Sequence, residues 1–255
     1  MNKSISIVEN SKSVFAELIG KHGLYDTDVS VLVKTLTSKE AIGEPGRRDF
    51  PIIIGRERII EAKVHRAKAH AFTDSPGEFI GALKKILEFP LTSSRERAIY
   101  IAALNAVLKY LNLIEKTVHC KDHEPEECAG EIASYIKKER GSTRVGLIGL
   151  NPAIAENLID TFGAGNVIIT DLDRENIGSS KWGVVIRDGA AETEKLIKQS
   201  DLVLLTGSTF VNGTVDIIME HIRYYGKDYL IYGVTCAGLC ELANMNRICP
   251  FGRND

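Results

Sequence analysis

This chain of 255 residues lacks several features, and each absence removes a class of function. No run of about 18 apolar residues occurs, so no segment reads as a membrane-spanning helix. No long block of one charge occurs either. The 32 basic side chains stand against 34 acidic ones, which leaves no basic groove for nucleic acid and no polybasic membrane patch. The opening segment MNKSISIVENS lacks the apolar core of a secretory signal, so the five cysteines, an odd number, read as reduced thiols rather than a disulfide framework. A soluble cytoplasmic protein is expected, acting on small molecules or other proteins, with homo-oligomerisation open. Catalytic signatures are absent too: there is no Walker loop, no serine elbow and no diagnostic His–carboxylate pair, so no catalytic residue is assigned.

A sizeable core is affordable, because 44% of the residues are hydrophobic. Its clearest landmark is RVGLIGLNP, Arg144 to Pro152. Val145, Leu147, Ile148 and Leu150 suit a strand buried on both faces, Asn151 is a helix N-cap, and Pro152 fits the first helical turn. The helix to Phe162 is closed by Gly163. Free N–H groups at that helix start, with no side chain on Gly149, suit a small anion. Strand and helix then alternate: NVIIT (166–170), Val184 to Ile186, a helix from Ala191 to Gln199, Leu202 to Leu205, a helix capped by Thr214, YLIYGV (229–234) and a helix from about Ala237. This pattern is an α/β fold with a doubly wound parallel sheet, whose ligands bind at the carboxyl ends of the strands.

Three of those ends carry suitable chemistry. Gly149 lies at the first, with Asp171 at roughly the 20-residue separation of a ribose-binding acid, although GLIGLN is not the dinucleotide glycine pattern. The second is TGSTFVNGT, Thr206 to Thr214, read as a loop offering backbone and hydroxyl donors to oxyanions. The third is GVTCAGLC. Cys236, Cys240 and Cys249 could hold a soft metal or an iron–sulfur cluster, against the plainer reading of apolar filler or a single reactive thiol.

The first ninety residues read as a mixed α+β unit. A helix carrying Val14, Phe15, Leu18 and Ile19 precedes a strand over Val29 to Leu36, an exposed loop AIGEPGRRDF and a second strand at Ile52 to Ile54. The alternation from Ile60 to Phe72 changes phase near Arg66, as a bulge would make it do. Helical spacing then links Phe79, Leu83, Ile86 and Leu87, and the capping box Ser93-x-x-Glu96 opens a long helix to about Glu115. Asn105 lies on that helix as either a backbone-bonded core amide or a cleft residue. TVHCKDHEPEEC, Thr117 to Cys128, joins the halves. His119 and Cys120 are candidate zinc ligands, but the spacing favours a solvated linker leading into a helix that starts at Pro125.

The segments HCKDHEPEEC, RVGLIGLNP, TDLD, TGSTFVNGT and YGVTCAGLCELANMNRICPFGR, together with the helix RERAIYIAALNAVLKYL, resemble the heavy-metal chelation family, long described as a domain of unknown function. The resemblance covers most of the chain and is best from Arg144 to Arg253. It implies an N-terminal α+β domain resembling the enolase N-terminal fold over 1–116, a linker and helix over 117–142, and a Rossmann-like domain over 143–255. It also implies an interdomain cleft site drawing on Asn105, Gly149, Pro152, Asp171, Gly207, Ser208, Thr209, Asn212, Gly213 and Thr214. Two functions follow as expectations. One is a protein that binds or processes a small anionic ligand, a metal ion or a metal chelate. The other is an enzyme using S-adenosylmethionine or NAD, with Asp171 on the ribose.

Overall fold

The computed structural model describes residues 6–25 and 31–254. Along the chain come helix α1 (Ile7–Lys21), strand β1 (Val31–Thr35), helix α2 (Ser38–Ile42), strands β2 (Arg58–Val64), β3 (Ala67–Thr73) and β4 (Phe79–Gly81), and helices α3 (Leu83–Leu87) and α4 (Ser94–Tyr110). The second half contributes α5 (Glu124–Arg140), β5 (Val145–Ile148), α6 (Pro152–Phe162), β6 (Val167–Asp171), β7 (Ser180–Lys181), β8 (Val184–Asp188), α7 (Gly189–Gln199) and β9 (Leu202–Thr206). It ends with α8 (Ser208–Asn212), α9 (Val215–Tyr224), β10 (Asp228–Tyr232), α10 (Ala237–Leu242) and β11 (Arg247–Ile248). No described helix is long and apolar enough to cross a membrane.

The fold is α/β, as the alternation of the second half leads one to expect. Seven strands form a sheet in the order β11-β10-β9-β5-β6-β8-β7, parallel except for the short β7 at one edge. Alternate strand residues serve opposite faces. Val145, Leu147, Val167, Ile169, Leu202 and Leu204 pack with α5 and α6, whereas Ile148, Ile168, Val203, Leu205 and Ile231 pack towards α7, α9, α10 and α4. Gly146 lets α7 close on the sheet, because a methyl group there would overlap Ser200 Oγ and the Leu196 side chain. Strand order reverses around β5, whose neighbours are β6 and β9, and a crevice at the carboxyl ends follows from that reversal.

A second, antiparallel sheet has the order β3-β2-β1-β4. Helix α4 lies between this sheet and the second-half helices. Every residue from Ala98 to Leu108 is buried, which a helix apolar on all sides requires, and its four alanines allow close approach. Ser93 and Glu96 form the expected capping box at its start. One apolar cluster runs through α4 from Phe15 and Ile60 to Val203 and Ile231.

Several local expectations are corrected. The phase change near Arg66 is a hairpin: Val64 pairs with Ala67, and His65 takes a positive φ of 51° in the two-residue turn. A turn resets alternation just as a bulge does. Ile52 to Ile54 is not a strand but part of a turn that buries Phe50 and Ile52 beside α5 and α6. Phe79 lies in β4, and only Leu83–Leu87 of the expected helix forms. Val14 is exposed, with Val8 and Ser11 taking the inner face of α1. Helix α4 stops at Tyr110, short of Glu115, where Asn112 turns to positive φ. Positions 29 and 30 of the expected first strand lie outside the described residues.

Candidate functional site

A cavity of about 800 Å³ opens at the carboxyl ends of the parallel strands. Its floor comes from the residues after β5, β6, β9, β10 and β11, including Gly149, Asp171, Ser208, Thr235 and Cys249. The opposing wall comes from the first half, with Phe50, Arg56, Glu57, Phe72, Asp74 and His119. Of the residues singled out in the sequence, Gly149, Asp171, Gly207, Ser208, Thr209, Asn212 and Thr214 line it, whereas Asn105, Pro152 and Gly213 do not.

Asn105 stands behind the wall, fully buried. Its Nδ2 donates to the Thr235 carbonyl at 2.9 Å and the Val234 carbonyl at 3.4 Å, and its Oδ1 accepts from Gly238 N at 2.7 Å. Thr235 Oγ1 in turn accepts from Phe72 N at 3.0 Å. The amide therefore braces the turn after β10, which touches both sheets.

The amides at the β5–α6 junction are not free, which corrects the anion-cradle expectation. Gly149 N donates to the Thr170 carbonyl at 2.9 Å, and Leu150 N to Asp171 Oδ2 at 2.6 Å. Ala153 N and Ile154 N both donate to Asn151 Oδ1 at 3.1 Å. Asn151 caps so completely that it removes the donors an anion would need. Asp171 is equally engaged, since its Oδ1 accepts from Asp173 N at 2.7 Å and from Asn176 Nδ2 at 3.4 Å. Gly149 has a φ of 87°, and a Cβ there would sit 2.6 Å from Thr206 Cγ2. Only glycine fits both demands.

The stretch Thr206 to Thr214 holds the short helix α8 rather than an open loop. Its polar groups also pair locally: Thr209 Oγ1 donates to the Thr206 carbonyl at 2.8 Å, and Thr214 N and Oγ1 both donate to Asn212 Oδ1. Thr214 does not cap α9 with its side chain. The hydroxyls of Thr206 and Ser208 face each other at 3.1 Å on the cavity wall.

The charged lining is mainly acidic. Glu57, Asp74, Asp171, Asp173 and Glu194 share it with one guanidinium, Arg56, itself paired with Asp173 at 2.7 Å and with Glu175, and with the imidazole of His221, whose Nδ1 lies 3.9 Å from Glu194. Glu57 is placed by the turn over 51–55, in which Arg56 N and Glu57 N both return to the Pro51 carbonyl. Its carboxyl has no hydrogen-bond or ion-pair partner among the described residues. Burial, with Asp171 and Asp74 opposite, pushes it up to about 7. A carboxyl titrating near neutrality can take up or release a proton in the cavity. The Tyr232 hydroxyl, whose pKa burial also raises, lies 3.4 Å from the Gly149 carbonyl. Glu57 and Asp74 were missed in the sequence because no motif singles them out, and only the fold brings them to one cavity.

The cysteines divide into two groups. Cys236 and Cys240 lie one turn apart at the start of α10, buried and outside the cavity lining, and Cys236 Sγ donates to the Gly233 carbonyl at 3.7 Å. Cys249 directly follows β11, a short strand beside β10 that the sequence did not suggest. Cys120, Cys128 and Cys249 line the cavity with His119. His119 Nδ1 is buried without a hydrogen-bond partner among the described residues, and burial and then His70 lower its pKa to about 4, so the ring is neutral. Among the described residues no three His, Cys, Asp or Glu side chains are grouped to hold a metal ion. The candidate trio Cys236, Cys240 and Cys249 is not so grouped, which agrees with the plainer reading of buried filler for Cys236 and Cys240.

Residues 133–242 match the model of a family described as putative heavy-metal chelation, DUF364. The match starts within α5 and ends with α10, so Glu57, Asp74, Cys120, Cys128 and Cys249 lie outside it. No curated protein matches the chain. Two solved structures of DUF364-family proteins with unknown function share the fold. One, from Pyrococcus horikoshii, has 15% identity and a TM-score of 0.51, covering 90% of this chain and 79% of its own. The other, from Desulfitobacterium hafniense DCB-2, has 14% identity and a TM-score of 0.52, covering 91% and 82%.

Proposed function

We propose that the chain binds or processes a small ligand of net positive charge, specifically a chelated metal ion, in the cavity between the two sheets. The observation that carries this reading is the acidic lining, with five carboxyl groups against one guanidinium and one imidazole, each already paired with a carboxylate, and Glu57 left without a partner among the described residues. Such a wall repels the anion that the sequence suggested and attracts a cation. A bare ion has no set of three protein ligands among the described residues, so the metal would arrive with its own chelator. The family description agrees with a metal-related role. A nucleotide-type cofactor has less to hold it, because both Asp171 oxygens already accept local N–H groups.

Inert cobalt(III) chelates separate the alternatives, since they neither shed their metal nor exchange it with thiols. Isothermal titration calorimetry is expected to detect tris(ethylenediamine)cobalt(III), a cation, and not the anionic EDTA complex of cobalt(III). Glu57→Gln with Asp74→Asn should weaken the cation at least about tenfold, equivalent to ~1.4 kcal/mol. Binding should also weaken as salt is added. Tighter binding of the anionic complex would refute the proposal.

A further inference from the structure

The cavity is not acidic throughout. Its carboxyl groups come from positions 57, 74, 171, 173 and 194, whereas the lining contributed by residues 119–132 and 248–249 carries no charged side chain, His119 being neutral. Phe72 stands on the uncharged side with His119, their ring centroids 5.0 Å apart and their planes at 71°. Both residues are only partly buried, so the pair presents apolar surface to the cavity that Cys128 and Ile132 of α5 also line. Two of the exposed large apolar side chains, Leu172 and Ile217, line it as well. Resting on the chelate reading above, we propose that the chelator is aromatic, a neutral nitrogen heterocycle of the bipyridine kind, with the metal's positive charge towards the carboxyl groups and the rings against Phe72 and His119.

Size and charge both select this class. A metal ion with roughly six waters at about 30 Å³ each fills only about a quarter of a cavity of about 800 Å³. Water left against the apolar wall is poorly held, and an apolar group that displaces it gains affinity. A cavity of this size instead suits an organic ligand of drug-like dimensions. The chelator must also keep the complex cationic. Carboxylate or phenolate donors would cancel the metal's charge and bring oxyanions up to Glu57 and Asp171, whereas neutral nitrogen donors leave that charge intact. An edge-to-face pair such as Phe72 and His119 can meet a third ring by offset stacking or edge contact, which is worth about two- to tenfold in affinity beyond the area buried. A saturated chelator of the same charge forgoes that gain.

The test compares three rhodium(III) complexes of equal charge by isothermal titration calorimetry: those of 2,2′-bipyridine, ethylenediamine and 1,2-cyclohexanediamine. All are inert to substitution and to thiols, so only the outer surface of the chelate differs. The bipyridine complex is expected to bind at least about tenfold tighter than the ethylenediamine complex, with the cyclohexanediamine complex, apolar but not aromatic, between them. Phe72→Leu keeps the wall apolar and should shrink the bipyridine-to-cyclohexanediamine ratio about threefold. The comparison in the wild-type protein stands even if this variant folds poorly. Bipyridine binding no tighter than ethylenediamine, cyclohexanediamine binding as tight as bipyridine, or an unchanged ratio in folded Phe72→Leu would each overturn the aromatic assignment while leaving the cation reading in place. Binding of none of the three would refute the cation reading itself, and this inference with it.

Discussion

Replacing Asn105 with alanine is expected to destabilise the fold by about 3 kcal/mol, because it strands at least two buried backbone groups at about 1–3 kcal/mol each. Those groups are Gly238 N–H, which loses an acceptor at 2.7 Å, and the Thr235 carbonyl, which loses a donor at 2.9 Å. Asn105 has no exposed surface, so water cannot replace the amide without opening the packing around Leu104 and Leu108. The effect should reach the cavity. Val234 and Thr235 line it, and Thr235 Oγ1 holds Phe72 N on the opposing wall. Urea unfolding should therefore show a lower midpoint with an unchanged slope, accompanied by weaker binding of the cationic chelate. An Asn105→Ala variant as stable as wild type would remove the brace from this account.

The second large effect concerns pH. Glu57 titrates at about 7 in the folded protein and near 4.3 when unfolded, so its folded value is raised. The stability associated with its protonated form is fully present below the unfolded pKa and is lost as pH rises through about 7. The carboxylate that forms then faces Asp171 and Asp74 in a poorly hydrated site. Allowing for partial exposure, the loss is about 2 kcal/mol between pH 5 and pH 8. Glu57→Gln carries no charge at either pH and should be free of this term. His119 works in the opposite sense, since its lowered pKa means that its contribution is lost as pH falls below about 6.5 towards 4. The informative quantity is the difference between wild type and variant. Denaturation at both pH values should show that Glu57→Gln gains stability relative to wild type at the higher one. An equal difference at both would mean that the carboxyl is ordinary.

What could be read from the sequence was the local chemistry. Asn151 and Pro152 cap and open α6, Ser93 and Glu96 cap α4, and the apolar runs of β5, β6 and β9 are buried strands with β10 half-buried beside them, because each of these signals lies within a few residues. Signals that depend on a distant partner were misread or invisible. His65 and Arg66 form a turn, but phase alone does not separate a turn from a bulge. Helix α8 is too short for helical spacing to register within TGSTFVNGT. The free amides expected after Gly149 are taken by Asn151 and by Asp171, which lies on the next strand of the sheet. Glu57, Asp74 and Asp171 are scattered in sequence, and only the stacking of the two sheets faces them across one cavity.

The central claim is that an acidic cavity shared by both sheets receives a positively charged chelate. It is tested most directly by anomalous diffraction from crystals soaked with tris(ethylenediamine)cobalt(III). The account predicts a cobalt peak inside the cavity, bordered by Glu57, Asp74 and Asp171. Cobalt found only on the outer surface, in crystals whose protein binds the chelate in solution, would contradict it.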